Sequence, residues 1–448
     1  MLRVPGSGFR AGQGAFVGIS LKTLSAIGST RLMGGSVSPI AFEFGTAELK
    51  VLQIATGPSP QLVAAAALEM PSRLRRDAQA RLAFQIEALP KLVKAGGFKG
   101  KRAVCSMPSA MSFCKHLKIV RADGVAMDTL VRAKIQGAMG CDPNALVYRW
   151  VPVETGNAGS RGEVICMGAG RDVIQRLMRA LKAAKLEPVA MHSDFQAILT
   201  AMHACTRHLE DHEDKPTLYL ELGAGGSRVL VGDGERLAFA KFVEIGGKHL
   251  DEAIAREQNI DMEMARSARL NLQTLVPEAT QAVTAAAKAA SKDDSVDRAG
   301  SGLAMLEAAL KRSRATPNSE DNGGSAVMAA LDESAMGMET LDETMSRTGT
   351  DLTEPLEILT DEVQMCVRYY NGLCPQRKIE RVVFLGGESR QMALCTHIAR
   401  RLNLPAQVAD PLARVTRTGN EPCVGTDLSG SQPGWAVALG LCLRPTDL

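Results

Sequence analysis

Short apolar runs that end at glycine recur along the chain and predict buried strands. Ile40–Phe44 is such a run, and a Gly-Thr turn separates it from a second run at Leu49–Ala55. Leu218–Leu222 and Val229–Val231 repeat this arrangement around the turn Gly223–Gly226. Runs of this length bounded by turn residues are typical of strands inside a sheet. The pattern therefore predicts two related β-hairpins, and this internal repeat organises the whole sequence.

Apolar residues at helical spacing fill the stretches between further strand-like runs. Such an alternation of helix and strand is typical of an α/β fold. Helices are predicted over 73–96, Met127–Met139, Arg171–Ala184, Phe195–Thr206, His249–Arg256, onward from Pro355, and over Gln391–Leu402. The other strands are predicted at Ala103–Met107, Ala145–Val153, Glu163–Met167, Val189–Met191, Leu237–Val243 and Val382–Leu385.

Two segments lack the composition of a packed core. Residues 1–37 are rich in Gly and Ser and carry basic residues without an acidic one. They are predicted to form a flexible basic tail, with a membrane-surface helix as the alternative. Residues 278–348 are rich in Ala, Ser, Asp, Glu, Gly and Met. This composition predicts a largely disordered insertion.

The overall composition excludes several classes of protein. The chain has 448 residues, of which 45% are hydrophobic, and a net charge of +3. Basic and acidic residues are balanced, which argues against nucleic acid as the main ligand. The ten cysteines include no Cys-x-x-Cys pair, so no zinc knuckle or redox motif is indicated. No uninterrupted apolar stretch is long enough to span a membrane.

The two hairpins carry the chemistry that a phosphate group requires. Glu43 precedes the turn Gly45-Thr46-Ala47, and Glu221 precedes the turn Gly223–Gly226. Glycine lets the backbone approach a phosphate, and the N–H groups of such a turn form an anion-binding nest. The adjacent carboxylates can hold a metal-bound water, because Mg²⁺ keeps most of its waters. Either hairpin alone can also be interpreted as an ordinary β-turn.

Two further glycine pairs follow these hairpins along the chain. Gly246-Gly247 joins a strand to a helix without side-chain bulk, as a hinge between lobes requires, although a helix start with free backbone angles explains it equally well. Gly386-Gly387-Glu388 ends an apolar strand and suits close approach to a flat ring or a sugar. The predicted cofactor-binding residues are Gly45, Thr46, Ala47, Lys50, Gly223, Ala224, Gly225, Gly226, Gly246, Gly247, Gly386, Gly387 and Glu388.

In this order, the two hairpins and the two glycine pairs resemble the actin- and FtsA-like ATPase superfamily. Within it, the chain resembles the PilM family of type IV pilus assembly, also called competence protein A. Supporting stretches are Leu186–Ala190, Val382–Gly387, Leu402–Pro405 and Ala436–Leu441. The resemblance implies a duplicated, actin-like (ribonuclease H-like) α/β fold with two lobes and an extra subdomain called 1C.

The resemblance also implies a division of the chain into subdomains, which alternate between the lobes. Their predicted bounds are 38–100, 189–212 and 431–448 for subdomain 1A, 101–188 for 1C, 213–250 and 376–430 for 2A, and 251–375 for 2B with the insertion 278–348.

The resemblance further implies ATP and Mg²⁺ as cofactors. Glu43 and Glu221 stand where the superfamily usually has Asp, and Lys50 stands where a Lys meets phosphate, although Lys50 can also be a solvated strand residue. Asp194 matches the carboxylate that positions the attacking water, with a helix N-cap as its alternative role. Glu43, Glu221 and Asp194 are therefore the candidate catalytic residues, and Glu43 and Glu221 hold the metal through water.

These three carboxylates differ in side-chain length from the usual residues of the superfamily. Displacing a reacting group by about 1 Å costs on the order of 100-fold in rate. The resemblance therefore favours nucleotide binding over efficient hydrolysis.

The function implied is that of a cytosolic ATP-binding assembly protein of pilus, type II secretion or competence machinery. Its expected partner is the short cytoplasmic N-terminal peptide of an inner-membrane protein, held in a groove beside subdomain 1C. Self-association is a further expectation, whereas nucleic acid and a membrane span are not expected. Two alternatives remain open: a nucleotide-independent scaffold of the same machinery, and a phosphotransferase of the sugar or acetate kinase type.

Overall fold

The computed structural model of the protein describes residues 36–154, 161–206, 215–271, 328–330 and 351–445. The tail predicted over 1–37 lies outside the described residues except for Ser36 and Val37. Of the predicted insertion 278–348, only Met328–Ala330 is described, and it forms a strand at the edge of a sheet.

The first lobe is built on a six-stranded sheet with the order β15-β3-β2-β1-β4-β8. Its strands are β1 (Ile40–Phe44), β2 (Glu48–Ala55), β3 (Gln61–Glu69), β4 (Arg102–Ser106), β8 (Glu187–His192) and β15 (Cys423–Val424). The first three strands form an antiparallel meander, and β4 and β8 follow in parallel.

The second lobe repeats this topology in a sheet with the order β11-β10-β9-β13-β14-β12. Its strands are β9 (Thr217–Leu222), β10 (Ser227–Asp233), β11 (Arg236–Val243), β12 (Met328–Ala330), β13 (Arg381–Leu385) and β14 (Ala406–Ala409). Again an antiparallel meander precedes two parallel strands. The repeat seen in the sequence is therefore a duplicated structural unit, as predicted.

A separate three-stranded antiparallel sheet lies between β4 and β8 along the chain. It has the order β5-β7-β6, with β5 (Ser112–Val120), β6 (Leu146–Val153) and β7 (Arg161–Gly170). Helix α3 (Met127–Met139) packs on it through Val131 and Ile135, which are buried. Gly140 ends α3 in the left-handed conformation, as is common for glycine after a helix.

Two strands join the first sheet although they lie outside the ranges predicted for subdomain 1A. Arg102–Ser106 falls in the range 101–188 assigned to 1C, but it pairs with β1 in the first sheet. Cys423–Val424 falls in the range 376–430 assigned to 2A, but it pairs with β3, also in the first sheet. Both segments are short, and the strand that a short segment pairs with depends on the tertiary fold, which local periodicity does not specify.

The remaining helices cover the two large sheets. They are α1 (Ser72–Arg75), α2 (Ala78–Ala95), α4 (Arg171–Ala183), α5 (Asp194–Thr206), α6 (Gly247–Gln258), α7 (Met262–Asn271), α8 (Thr353–Leu373), α9 (Met392–Leu402) and α10 (Ala436–Leu443). The single helix predicted over 73–96 is two helices, because Asp77 caps α2 by accepting hydrogen bonds from Gln79 N and Ala80 N.

A pair of apolar helices lies at the centre of the molecule. Helices α5 and α10 pack on each other and share one hydrophobic cluster with residues of both large sheets, including Ala41, Leu230 and Leu385. Burial of this apolar surface joins the two lobes into one body. The face of each lobe that carries its hairpin is therefore held close to the other lobe.

Replacing Gly440 with alanine is expected to lower the free energy of unfolding by about 1–3 kcal/mol, the usual cost of overpacking a core. A Cβ atom at this position in α10 would overlap the backbone of Ala197 in α5. The matched control is Gly372→Ala in α8, where a Cβ atom meets nothing within 4 Å and helix propensity alone is expected to add about 0.5 kcal/mol. Urea unfolding of both variants measures the difference, and equal stability would contradict the close packing of α5 on α10.

Candidate functional site

The two predicted hairpin turns lie in direct contact across the interlobe cleft. A Cβ atom placed on Gly225 would overlap the Thr46 side chain. The second turn is also held from behind, since Gly247 N and Lys248 N donate to Gly223 O and Ala224 O at 3.1 and 2.9 Å. The duplicated glycine turns therefore face each other and leave no gap between Gly225 and Thr46.

The two later glycine pairs converge on the same place. Gly386 has a φ of +91° and lies so close to Leu222 that a Cβ atom would overlap the Leu222 carbonyl. A Cβ atom on Gly246 would likewise overlap Gly223 O. Only glycine fits at these positions, because backbone meets backbone there. All four glycine segments singled out in the sequence thus meet in one cleft.

In each hairpin a carboxylate lies directly opposite a basic residue. Glu43 on β1 pairs in register with Lys50 on β2, and Glu221 on β9 pairs in register with Arg228 on β10. Directly opposed residues of an antiparallel pair are close enough to interact. Arg228 was missed in the sequence, although it follows Glu221 at the spacing that separates Lys50 from Glu43.

Arg228 crosses the cleft and connects the two lobes. Its Nη1 donates to Glu221 Oε2, and its Nη2 donates to Asp194 Oδ2 at 2.6 Å and to Ser109 Oγ. Ser109 in turn donates to Asp194 Oδ2 at 2.7 Å. Glu221 belongs to the second lobe, whereas Ser109 and Asp194 belong to the first. One guanidinium therefore binds carboxylates from both lobes.

Neighbouring carboxylates raise the pKa of Arg228, and burial raises that of Glu43. Burial by itself lowers the pKa of Arg228, but attraction by Asp194, Glu221 and Glu43 outweighs burial and raises that pKa above its ordinary value. Burial raises the pKa of Glu43 from 4.5 to about 7, and the nearby Lys50 opposes the rise only in part. The cleft therefore holds Arg228 charged and disfavours the charged form of Glu43.

Two carboxylate oxygens in this cluster have no hydrogen-bond partner within the described parts of the chain. They are Glu43 Oε2 and Asp194 Oδ1, and each of these two residues is only 6% exposed. A small cavity of about 20 Å³ adjoins Asp194 and Arg228 and is lined in part by Phe113 and Phe242. It has room for about one water molecule.

Asp194 is the first residue of α5, and its side chain turns toward the cleft. Its Oδ2 accepts hydrogen bonds from Ser109 and Arg228. The predicted alternative role, capping of its own helix by the side chain, is not what these contacts provide. A carboxylate in the first turn also interacts favourably with the helix dipole.

Lys50 does not point at an open anion site. Its Nζ donates to Gly434 O at 2.6 Å and lies 3.8 Å from Glu43 Oε1 and 3.7 Å from Glu48 Oε2. The exposed Gly387 borders the same spot, since a Cβ atom on Gly434 would lie 3.4 Å from Gly387 N. Lys50 therefore links the first hairpin to the segment before α10.

A second buried arginine binds two carboxylates of the second lobe. Arg269 on α7 is 3% exposed, and it donates from Nε to Asp251 Oδ1 at 2.5 Å and from Nη1 to Glu388 Oε2 at 2.7 Å. A Cβ atom on Gly247 would overlap the Glu388 carboxylate. Glu388, predicted to contact a sugar or a ring, is therefore bound by a side chain of the protein itself.

Contacts at the mouth of the cleft also join the lobes. Arg76, beside α1, donates to Glu252 on α6 at 2.9 Å, and Ser72 donates to Glu263 on α7 at 3.2 Å. These groups are exposed, so each contact contributes at most about 1 kcal/mol. They join the same two lobes as the buried contacts of Arg228.

The three-stranded sheet is bound to the second lobe by a polar contact. His116 Nδ1 lies 2.6 Å from Glu163 Oε1, and Tyr369 on α8 donates to the same oxygen at 2.8 Å. Ala240 N donates to His116 Nε2 at 3.3 Å, and the His116 ring packs on Phe239. Burial alone raises the pKa of Glu163, but the hydrogen bonds from His116 and Tyr369 outweigh it and lower that pKa.

These contacts determine whether a magnesium nucleotide can lie between the two lobes. The turns touch at Gly225 and Thr46, Arg228 binds two of the three predicted carboxylates, and Arg269 binds Glu388. Within the described ranges, no three side chains of His, Cys, Asp or Glu converge as metal ligands. As the lobes stand, the residues do not accommodate a triphosphate with its metal.

Comparison with known proteins identifies the fold. No protein-family model matches the chain, and no curated protein matches it in sequence. Among solved structures, a chain of the "PilM-PilN type IV pilus biogenesis complex" is similar, with a TM-score of 0.60, 18% identity, and coverage of 92% of this chain and 99% of that chain.

Two more distant structures also match. They are the ethanolamine utilization protein EutJ from Carboxydothermus hydrogenoformans (TM-score 0.42, 12% identity, 91% and 89% coverage) and MreB 5 of Spiroplasma citri bound to AMPPNP (TM-score 0.41, 11% identity, 90% and 95% coverage).

The chain therefore shares the fold of the pilus complex chain, and its duplicated sheets match the actin-like α/β fold that the sequence predicts. This confirms the predicted fold and the resemblance to PilM at the level of the fold. Across the described parts of the chain, no helix is long and apolar enough to span a membrane.

Proposed function

We propose that this protein is an actin-like assembly scaffold of type IV pilus or type II secretion machinery that works with its lobes closed and without nucleotide. It binds the cytoplasmic segment of an inner-membrane partner and acts at the cytoplasmic face of that membrane. The similarity of its whole fold to a chain of a pilus biogenesis complex supports the assembly role.

The observation that carries the nucleotide independence is the position of Arg228. Its guanidinium binds Glu221 of the second lobe and Asp194 of the first. In a nucleotide-dependent protein of this class, closure would come from phosphates and a metal lying between the lobes. Here a buried side chain makes the same connection, so the closed state needs no added ligand.

Closed lobes suit a scaffold. If the partner binds the closed conformation, that conformation is already populated before the partner arrives. None of the binding free energy is then used to reorganise the protein. The central α5–α10 pair and the contacts at the cleft mouth hold the same conformation. The predicted catalytic and metal-holding roles of Glu43, Glu221 and Asp194 stay predictions, and the scaffold does not require them.

The proposal is tested by peptide binding. The probe is a fluorescent peptide that carries the cytoplasmic N-terminal segment of PilN from the organism that makes this protein. It is titrated with the full-length protein, with and without Mg-ATP. The expected result is binding with affinities that agree within about twofold, since a nucleotide that is not bound cannot be coupled to the peptide site.

A scrambled peptide is the control. Absence of binding to the PilN segment would contradict the assembly role. Binding that appears only with Mg-ATP would contradict the nucleotide independence and leave the assembly role intact.

ATP binding is the second candidate function, and one observation favours it. The N–H groups of Thr46, Ala47, Ala224 and Gly225 donate no hydrogen bond to any described residue, and N–H groups in glycine-rich turns form anion nests. Were the lobes to separate, these groups would be free to receive phosphate. A rise of the unfolding temperature in Mg-ATP would support this candidate over the first.

A further inference from the structure

We infer that Arg228 is a built-in counterion, whose guanidinium takes the place between the two hairpins that a hydrated divalent cation would otherwise occupy. This inference rests on the proposed function, because it gives the physical reason why the closed cleft needs no metal nucleotide. The chemical class of the excluded ligand is a small divalent cation with oxygen ligands, such as Mg²⁺.

The geometry of the guanidinium matches this role. Its two terminal nitrogens bind two carboxylates on opposite lobes, Glu221 and Asp194. A guanidinium is planar and permanently charged, so it bridges two carboxylates as a fixed fork. Since Arg228 is directly opposite Glu221 in the ladder, the hairpin itself aims the charge at the cleft.

The cluster retains features of a cation site. Glu43 interacts electrostatically with Asp194 and Glu221 and with two cations, Lys50 and Arg228. Glu43 Oε2 and Asp194 Oδ1 are buried without partners among the described residues. Buried carboxylate oxygens are normally hydrogen-bonded or bound to a cation. Lys50 and Arg228 therefore supply positive charge beside these carboxylates, where a cation would otherwise be needed.

Removing the guanidinium is expected to expose this latent site. Without it, Asp194 and Glu221 are buried without the cation that now binds them, which is strongly destabilising. Mg²⁺ binds through one or two carboxylates and keeps several waters, so it can compensate the lost charge without close convergence of three ligands. The protein would then depend on the ion for stability.

The test is thermal unfolding of Arg228→Met, Arg228→Gln and the wild type, in EDTA and in millimolar MgCl₂. In EDTA, the unfolding temperatures of both variants are expected to fall by about 5–10 °C. Magnesium is expected to restore at least half of that loss, whereas the wild type is expected to stay unchanged. Sodium chloride at equal ionic strength controls for screening.

Two further variants separate charge from packing. Arg228→Lys keeps a cation and is expected to gain no magnesium response. Arg81→Met removes an equally buried arginine, whose side chain donates, among the described residues, to the carbonyls of Leu74 and Arg75. Its loss of stability is expected to be the same with and without magnesium.

The outcomes are distinct. The inference is overturned if magnesium does not raise the unfolding temperatures of Arg228→Met and Arg228→Gln above those in EDTA. It is also overturned if magnesium raises the unfolding temperature of the wild type by as much as those of the variants. If the variants do not fold in EDTA, the yield of refolding from urea decides: a higher yield with magnesium supports the inference, and equal yields overturn it. Failure of the proposed function appears separately, as stabilisation of the wild type by Mg-ATP.

Discussion

Replacing Arg269 with methionine is expected to lower the free energy of unfolding by about 3–5 kcal/mol, the usual cost of removing one partner of a buried ion pair. Methionine keeps most of the side-chain volume, but Asp251 and Glu388 are then left buried without their cation. Both carboxylates now accept hydrogen bonds from Arg269 at 2.5 and 2.7 Å. Equilibrium unfolding in urea measures the loss.

The matched control is Arg256→Met on the neighbouring helix. Arg256 pairs with Glu354 at 3.5 Å, and both side chains are about three-quarters exposed, so this variant is expected to change stability by no more than about 0.5 kcal/mol. The double variant Asp251→Asn, Arg269→Met is expected to lose less than the sum of the single variants, because the two residues interact directly. Strict additivity would contradict the buried triad.

Replacing Glu43 with glutamine is expected to stabilise the protein at alkaline pH. Burial raises the pKa of Glu43 from 4.5 to about 7, so the folded protein holds a proton on Glu43 more tightly than the unfolded chain does. The contribution of this residue is therefore most favourable below about pH 4.5 and is lost as the pH rises through about 7. The shift corresponds to about 3 kcal/mol.

Glu43→Gln is thus expected to match the wild type near pH 4 and to exceed its stability by up to about 3 kcal/mol above pH 8. The groups that face Glu43 in the cleft are Lys50, Asp194, Glu221 and Arg228, and they are unchanged in the variant. Glu48→Gln is the control, since Glu48 pairs with the same Lys50 but is 41% exposed. A difference between Glu43→Gln and the wild type that does not grow with pH would contradict the burial of this carboxylate.

Much of the fold could be predicted because the duplicated hairpins leave a strong local pattern. Strands Ile40–Phe44 and Thr217–Leu222 are mostly apolar, carry one glutamate each and end at glycine turns. The glycine pairs at 246 and 386 also stand out locally, and backbone approaches backbone at both. These signals are local, so they can be read without knowledge of the tertiary structure.

Strands without such a pattern were missed. Gln61–Glu69 contains four consecutive alanines, and alanine is depleted in strands. It is a strand because its neighbour β2 and the short β15 pair with it on either side. The tertiary fold likewise determines that Arg102–Ser106 pairs with β1 in the first sheet.

The content of the cleft was the part of the site that sequence reasoning did not reach. Glu221 and Arg228 repeat the spacing between Glu43 and Lys50, and the members of each pair lie directly opposite each other in their hairpin. That repeat indicates a basic residue beside the second carboxylate. The bond from Arg228 to Asp194 joins segments 34 positions apart, and no local pattern encodes it.

The central claim is that side chains of the protein hold the lobes closed in place of a nucleotide. Its most direct test is the unfolding temperature of the wild type in millimolar Mg-ATP and Mg-ADP, compared with buffer of equal ionic strength. We predict a change of no more than about 1 °C, because a ligand stabilises a protein only when it binds the folded state. An unfolding temperature that rises steadily with the logarithm of the nucleotide concentration would contradict the claim.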